Sequence, residues 1–305
     1  MSEPVNASRL GRRRLQSRDV IPYLFIAPSI IILFFFSVVP IFQSIRLALL
    51  DYNVINPHLS RYIGWVNFRK LFHDPYVWQA LGNTAYFSFG TVVPGIILSL
   101  ILSLIITERW FRFQHFARVI VFIPFVISMT IAGLLWSWLY APTVGFFNFV
   151  LTSVGLPALT YLGNPRLAML CIIIMAVWKG LGYNVTIWSA GILGLPKDYH
   201  DAAVIDGATF SQELFRIRLP LLRPVLMFLT VLGFISSFQS FDAVYVLTQG
   251  GPLNRTRVLV FYLWQNAFQQ IKMGYASTIA WLLFVILIVL TFLQFRGYGR
   301  QEVLF

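Results

Sequence analysis

Six long apolar runs, at about residues 21–47, 80–106, 117–140, 167–194, 220–245 and 273–295, constrain this chain more than any other feature. Each exceeds the roughly 20 residues an α-helix needs to cross a hydrocarbon core of about 30 Å. Lipid offers no water to backbone amides, so such runs fold as helices or as strands of a closed barrel. The alternating segments of about ten residues that mark an outer-membrane barrel are absent. The expected fold is therefore an all-α polytopic membrane protein with six transmembrane helices. Pro28 and Pro40 interrupt the first run and Pro124 breaks the third. Kinks there are tolerated where neighbours re-satisfy the freed carbonyls.

Charge supports the same reading. Charged residues make up 11% of the chain, against about 25% in a soluble domain. A net charge of +12 at first suggests nucleic acid. Its distribution argues instead for a membrane orientation. Segments 1–20, 107–118, 195–223 and 296–305 hold fourteen Lys and Arg, whereas 51–79, 141–166 and 246–272 hold seven. The positive-inside rule then puts both termini and the polar 195–220 segment in the cytoplasm. The apolar stretch from Ile21 is too long for a signal peptide and lacks a small-residue cleavage site, so it reads as a retained span. Cys171 has no cysteine to pair with and reads as a small buried hydrophobe, and no Cys/His cluster suggests a metal.

The organisation that follows is a basic cytoplasmic segment 1–20, a first helix 21–47, and an extracytoplasmic loop 48–79. A five-helix domain 80–296 with the cytoplasmic loop 195–220 comes next, then a tail 297–305. Glu302-Val303-Leu304-Phe305 resembles part of a protease-cleavage tag and is left out of the functional reading. The outer loop is rich in aromatics (Tyr52, Tyr62, Trp65, Phe68, Tyr76, Trp78), which suit an interfacial belt or a docking surface for an extracytoplasmic partner.

The 195–220 segment interrupts two apolar runs with patterned charge. Pro196 opens a helical stretch, Gly207 breaks it, and a second stretch from Phe210 places Leu214 and Ile217 at four- and three-residue spacing. Pro220 is expected to open the next span. Taken alone, this is an amphipathic connector or a docking element.

The residue order resembles the EAA loop of ABC-importer permeases: an acid, Ala-Ala, two residues, Asp-Gly-Ala, then a helix ending in Ile-x-Leu-Pro. Ala202, Ala203, Asp206, Gly207, Ala208, Phe215, Ile217, Leu219 and Pro220 match, with Asp201 where the family has Glu. Residues from about 84 to 294 look like the carbohydrate-uptake subgroup, the maltose and glycerol-phosphate type, and more like the first of its two permease subunits. That resemblance rests on Tyr245 to Pro252 (Tyr-Val-Leu-Thr-Gln-Gly-Gly-Pro) and on Gly274-Tyr275-Ala276-Ser277. Gly64-Trp65-Val66-Asn67-Phe68 and Leu24-Phe25-Ile26-Ala27-Pro28 also carry it.

The resemblance implies a type I importer fold in the bacterial inner membrane. It implies a second related permease, two copies of a cytoplasmic ABC ATPase and an extracytoplasmic solute-binding protein. The 201–220 segment would dock into an ATPase cleft, so that ATP-driven closure rocks the membrane helices. ATP and Mg would sit on the partner subunits, since this chain has no GxxxxGK[ST] loop. No nucleophile–base pair marks it as an enzyme.

In similar sugar permeases the fourth and fifth spans line the central cavity. This implies solute contacts at Trp178, Gly180, Tyr183 and Asn184, and at Ser236, Ser237, Gln239 and Ser240. Aromatic faces stack on sugar rings while hydroxyls and amides bond the polyol edge. Small and hydroxyl residues also serve as packing between spans. Lys179 and Asp242 are the two intramembrane charges: an ion pair, a snorkelling lysine, and an anion-binding lysine all remain open. The competing classes are an importer for glycerol phosphate or an amino acid, and an ion-coupled secondary transporter. The last has no need of the 201–220 order and more often carries several membrane carboxylates.

Overall fold

The computed structural model describes residues 17–108 and 112–298. Expectations for residues 1–16 and for the tail from 299 lie outside the described residues.

Among the described residues, four helices are long and apolar enough to cross a membrane, and two bent pairs raise the number to as many as six. The first combines α1 (Ser17–Leu33) and α2 (Val39–Ala48) through a π turn at Phe34–Val38. The expected break at Pro40 is not a break. Proline cannot donate to the carbonyl one turn back, and the wider π turn just ahead absorbs the mismatch. A pair of two-residue strands, β1 (Leu50–Asp51) with β2 (Arg61–Tyr62), and α3 (Val66–His73) then fold the loop between the first and second spans. Buried Asn67 pins it, donating to the carbonyls of Ala48 (2.9 Å) and Leu50 (3.1 Å).

α4 (Pro75–Thr107) starts at an Asp74 cap and crosses as one piece despite Pro94. The third run departs from expectation. α5 (Gln114–Val126) contains Pro124 without interruption, and the chain breaks at Ile127–Ser128, where Ser128 caps α6 (Met129–Leu139). The two halves meet at 98°, so this run is a folded pair rather than a kinked rod. α7 (Phe146–Ser153) precedes α8 (Ala168–Leu193), the fourth span.

The 195–220 segment comprises α9 (Lys197–Ile205), α10 (Phe210–Glu213), a π turn at Leu214–Arg218, and α11 (Leu219–Leu221). Pro220 therefore belongs to this segment. The fifth span α12 (Arg223–Phe238) opens three residues later with Pro224 in its first turn, after a 65° bend. The π turn also spoils the expected apolar face, leaving Phe210 exposed. α13 (Asp242–Leu247), α14 (Leu259–Trp264) and α15 (Met273–Tyr298) complete the chain.

Three apolar clusters hold these helices. One joins α4, α6, α8, α13 and α14 around Phe87, Trp136, Met175 and Phe261, and includes the buried Cys171. A second joins α4, α8 and α12 around Trp188, Leu229 and Phe234. The third, outermost, joins α3, α4, α14 and α15. There Asp74 accepts hydrogen bonds from the hydroxyls of Tyr275 (2.6 Å) and Tyr262 (2.7 Å). Burial alone would raise the Asp74 pKa, but these bonds and two from backbone amides outweigh it and hold the carboxyl below its ordinary value.

Candidate functional site

Two features stand out: a cavity between the spans, and the helical 195–220 segment that joins α8 to α12.

The cavity measures about 440 Å³ and lies between α4, α5, α8 and α12. It continues into a second space of about 400 Å³ that shares Phe125, Gly180, Ser236 and Ser240 with it. Both fall in the range of about 300–1,000 Å³ usual for small-molecule sites. Gly180, Tyr183 and Asn184 contribute from α8, and Ser236, Ser237 and Ser240 from α12 and the turn after it. Gln239 lines the second space.

Trp178 corrects the sequence reading. Its indole lies in the first apolar cluster, 5.5 Å from the ring of Trp136, and not on the cavity wall. Helix geometry gives the reason. At about 100° per residue, Gly180, Tyr183 and Asn184 lie roughly 140–240° around the helix from position 178, on the opposite face.

The sequence reading also missed the walls supplied by α4 (Phe87, Thr91, Val92, Gly95) and the Phe125–Met129 break. Phe125 stacks on Tyr183 with centroids 5.3 Å apart. Gly182 permits this. A Cβ there would fall 2.5 Å from the Val121 carbonyl oxygen and 2.7 Å from Phe122 Cα, so only glycine lets the α5 backbone approach so closely. Thr91 and Gly95, four apart on α4, were the available signal: small or polar residues recurring on one face of an apolar helix.

Lys179 and Asp242 both line the second space, yet no ion pair joins them among the described residues. The Lys179 ammonium donates to the Phe125 carbonyl at 3.2 Å. Asp242 sits in the first turn of α13, where the helix dipole favours an anion.

The 195–220 segment is built by local chemistry. Gly207 has φ +69°, and its amide donates to Val204 O (3.1 Å) while that of Ala208 donates to Ala203 O (2.9 Å). This is a Schellman ending, which needs the left-handed conformation glycine adopts without strain. Two residues on, Thr209 and Gln212 form a capping box that starts the next helix. The bend is thus specified on both sides within three residues. Asp201, Ala202, Asp206, Gly207 and Phe215 are exposed, as are Val204 and Ile205. Ala203 is buried; Ala208, Ile217 and Pro220 are half-buried. Buried Glu213 accepts hydrogen bonds from His200 Nδ1 (2.9 Å) and Arg218 Nε (2.7 Å). Burial opposes ionisation of Glu213, but these two bonds and the Arg218 charge hold its pKa below the ordinary value.

Comparison with known proteins agrees with this architecture. Residues 84–300 match the model of the family described as binding-protein-dependent transport system inner membrane component. The chain belongs to that family, and is a multi-pass permease of the inner membrane.

A probable ABC transporter permease protein, YurN of Bacillus subtilis (strain 168), is 34% identical, covering 94% of this chain and 100% of its own. The sn-glycerol-3-phosphate transport system permease protein UgpA of Escherichia coli O157:H7 is 30% identical, covering 90% and 93%. A crystal structure of a bacterial ABC transporter that imports the acidic polysaccharide alginate superposes with a TM-score of 0.83, covering 93% of this chain and 96% of that one. At 23% identity it speaks to the fold alone.

Proposed function

We propose that this permease moves a sugar or polyol compound inward through the α4–α5–α8–α12 cavity, powered by ATP hydrolysis on separate ATPase subunits. The observation that carries the solute class is the wall of the cavity. Stacked Phe125 and Tyr183 offer an apolar aromatic surface, while Asn184, Ser236, Ser237, Ser240 and Gln239 surround it with donors and acceptors. That combination suits a ring with an apolar face and a hydroxylated edge. The names of relatives point the same way: one is an arabinooligosaccharide transport permease of Bacillus subtilis (strain 168), 28% identical.

On this reading, Asp201, Ala202, Ala203, Asp206, Gly207, Ala208, Phe215, Ile217 and Pro220 form the coupling segment. Exposed Val204, Ile205 and Phe215, beside Asp201 and Asp206, offer an apolar surface with carboxylates to an ATPase cleft. The chain itself is a non-catalytic translocation subunit. It works with a second related permease, two ATPase copies carrying ATP and Mg, and an extracytoplasmic binding protein. Its termini and the coupling segment face the cytoplasm, in keeping with the lysine and arginine bias.

One observation favours a second solute class. Lys179, with no carboxylate partner among the described residues, lines the second space and could hold a phosphate ester such as glycerol phosphate.

The test is purification of the complex in mild detergent, followed by uptake into proteoliposomes. The panel comprises oligosaccharides, polyols and glycerol 3-phosphate, with the neighbouring binding protein added. Recovery of an ATPase with ATP-dependent sugar uptake is expected. Recovery of the chain alone, with uptake driven by an ion gradient, would refute the assignment.

A further inference from the structure

The coupling segment is joined covalently to α8 and α12 only, yet α4 and α5 also wall the cavity. A cluster of charged side chains spans that gap. Arg218 directs Nε to Glu213 (2.7 Å) and Nη1 to Glu108 Oε1 (3.1 Å). Glu213 in turn holds His200 of α9. Glu108 caps the C-terminus of α4, and its carbonyl accepts from the Gln114 side chain (2.8 Å) at the start of α5. One guanidinium thus grips both coupling helices and the α4–α5 corner. The fork geometry of arginine suits two carboxylates at once; a lysine is a single point charge. The site is well enclosed: the Arg218 side chain is 16% exposed, against 8% for Glu213 and 33% for Glu108.

We propose that Arg218 is a positioning residue that ties the coupling segment to the α4–α5 corner. Its salt bridge to Glu108 carries the movement imposed on the segment to cavity walls not continuous with it. Without that bridge, the movement reaches α8 and α12 and leaves α4 behind. The proposal rests on the reading of 201–220 as the ATPase-coupling segment.

Glu108→Gln isolates the tie, because it leaves the Arg218–Glu213 pair within the segment intact. The experiment uses the full complex with its partner subunits, with Cys171→Ser to remove the native thiol. Single cysteines are placed by Thr91→Cys on α4 or Ser236→Cys on α12. The rate of labelling by a fluorescent maleimide is compared with and without Mg-ATP and vanadate.

In the parent complex both positions are expected to change rate severalfold on trapping. Glu108→Gln should abolish the change at position 91 and spare it at position 236. Arg218→Lys should show the same selective loss, more weakly, and covers the case in which Glu108→Gln fails to assemble. An undiminished response at position 91 in either variant overturns the tie alone. A parent complex in which neither position responds, or which holds no ATPase, overturns the coupling-segment reading and the tie with it.

Discussion

If 201–220 couples to an ATPase as proposed, Gly207 is the position where a single methyl group should matter most. Its φ of +69° lies in the left-handed region, and nothing lies within 4 Å of where a Cβ would stand. A side chain there meets no clash, so the cost is purely one of backbone conformation. That cost is about 1–2 kcal/mol for an ordinary L-residue, less for asparagine and more for a β-branched one. The cheapest escape is to fray the end of α9, giving up the Val204 and Ala203 carbonyl bonds and freeing the angle between α9 and α10. A penalty of that size lowers the population of the intact bend about 5–30-fold where the frayed form competes. Uptake by the reconstituted complex should therefore fall in the order Gly207, Asn, Ala, Val. ATPase co-purification should follow more weakly. Asparagine is larger than alanine, so steric conflict with a docked partner would reverse the middle of the series. Valine transporting at the wild-type rate, or alanine outperforming asparagine, would refute the backbone argument.

Gly182→Val should force α5 off α8, because its Cβ would stand within 3 Å of two α5 backbone atoms. A loss of about 1–3 kcal/mol or more, read as a lower thermal midpoint in detergent, is expected. Tyr183→Ala should raise the half-saturating solute concentration and leave the ATPase bound, whereas Tyr183→Phe, which keeps the stack on Phe125, should be mild; equal uptake by both would assign Tyr183 to packing. Asp74→Asn should destabilise the outer cluster by about 1.5–3 kcal/mol, since two phenols lose a charged acceptor. Because the native pKa of Asp74 is lowered, its contribution is present above the ordinary aspartate value and lost as pH falls through the native one. The gap in thermal stability between wild type and Asp74→Asn should therefore close on acidification; a constant gap would show that the charge is not what matters.

What the sequence revealed tracks the range of the forces involved. The spans were legible because transfer into lipid depends on composition over about 20 residues; the first, second, fourth and sixth runs hold long helices, whereas the third and fifth are broken. The Gly207 bend was legible because Pro196, Gly207 and Thr209 act on their own neighbours. The break at Ile127–Ser128 was not, since Pro124 is the stronger local signal yet sits inside α5. The cavity was half legible. Reading Trp178 to Asn184 as one stretch ignored the rotation of the helix, which turns Trp178 away; that error was avoidable. The α4 wall and the Glu108–Arg218 bridge, between residues 110 apart, depend on packing that no local pattern encodes.

The first span behaves differently from the other five, and the difference has a physical basis. Within Phe25–Ala48 only Ala48, at its very end, is buried, whereas the apolar stretches in α4 and α8 are 39% and 33% buried. Its attachments lie at its outer end: α2 packs on α15, Trp281 donates to Ser44 (3.2 Å), and Asn67 clamps the residues just beyond. Among its described residues this helix adds little to the core and supplies none to the cavity. The family match begins at residue 84, leaving this span and the outer loop outside it. The three apolar clusters and the cavity are built from α3 to α15. The first span packs on α15 through its C-terminal half, α2.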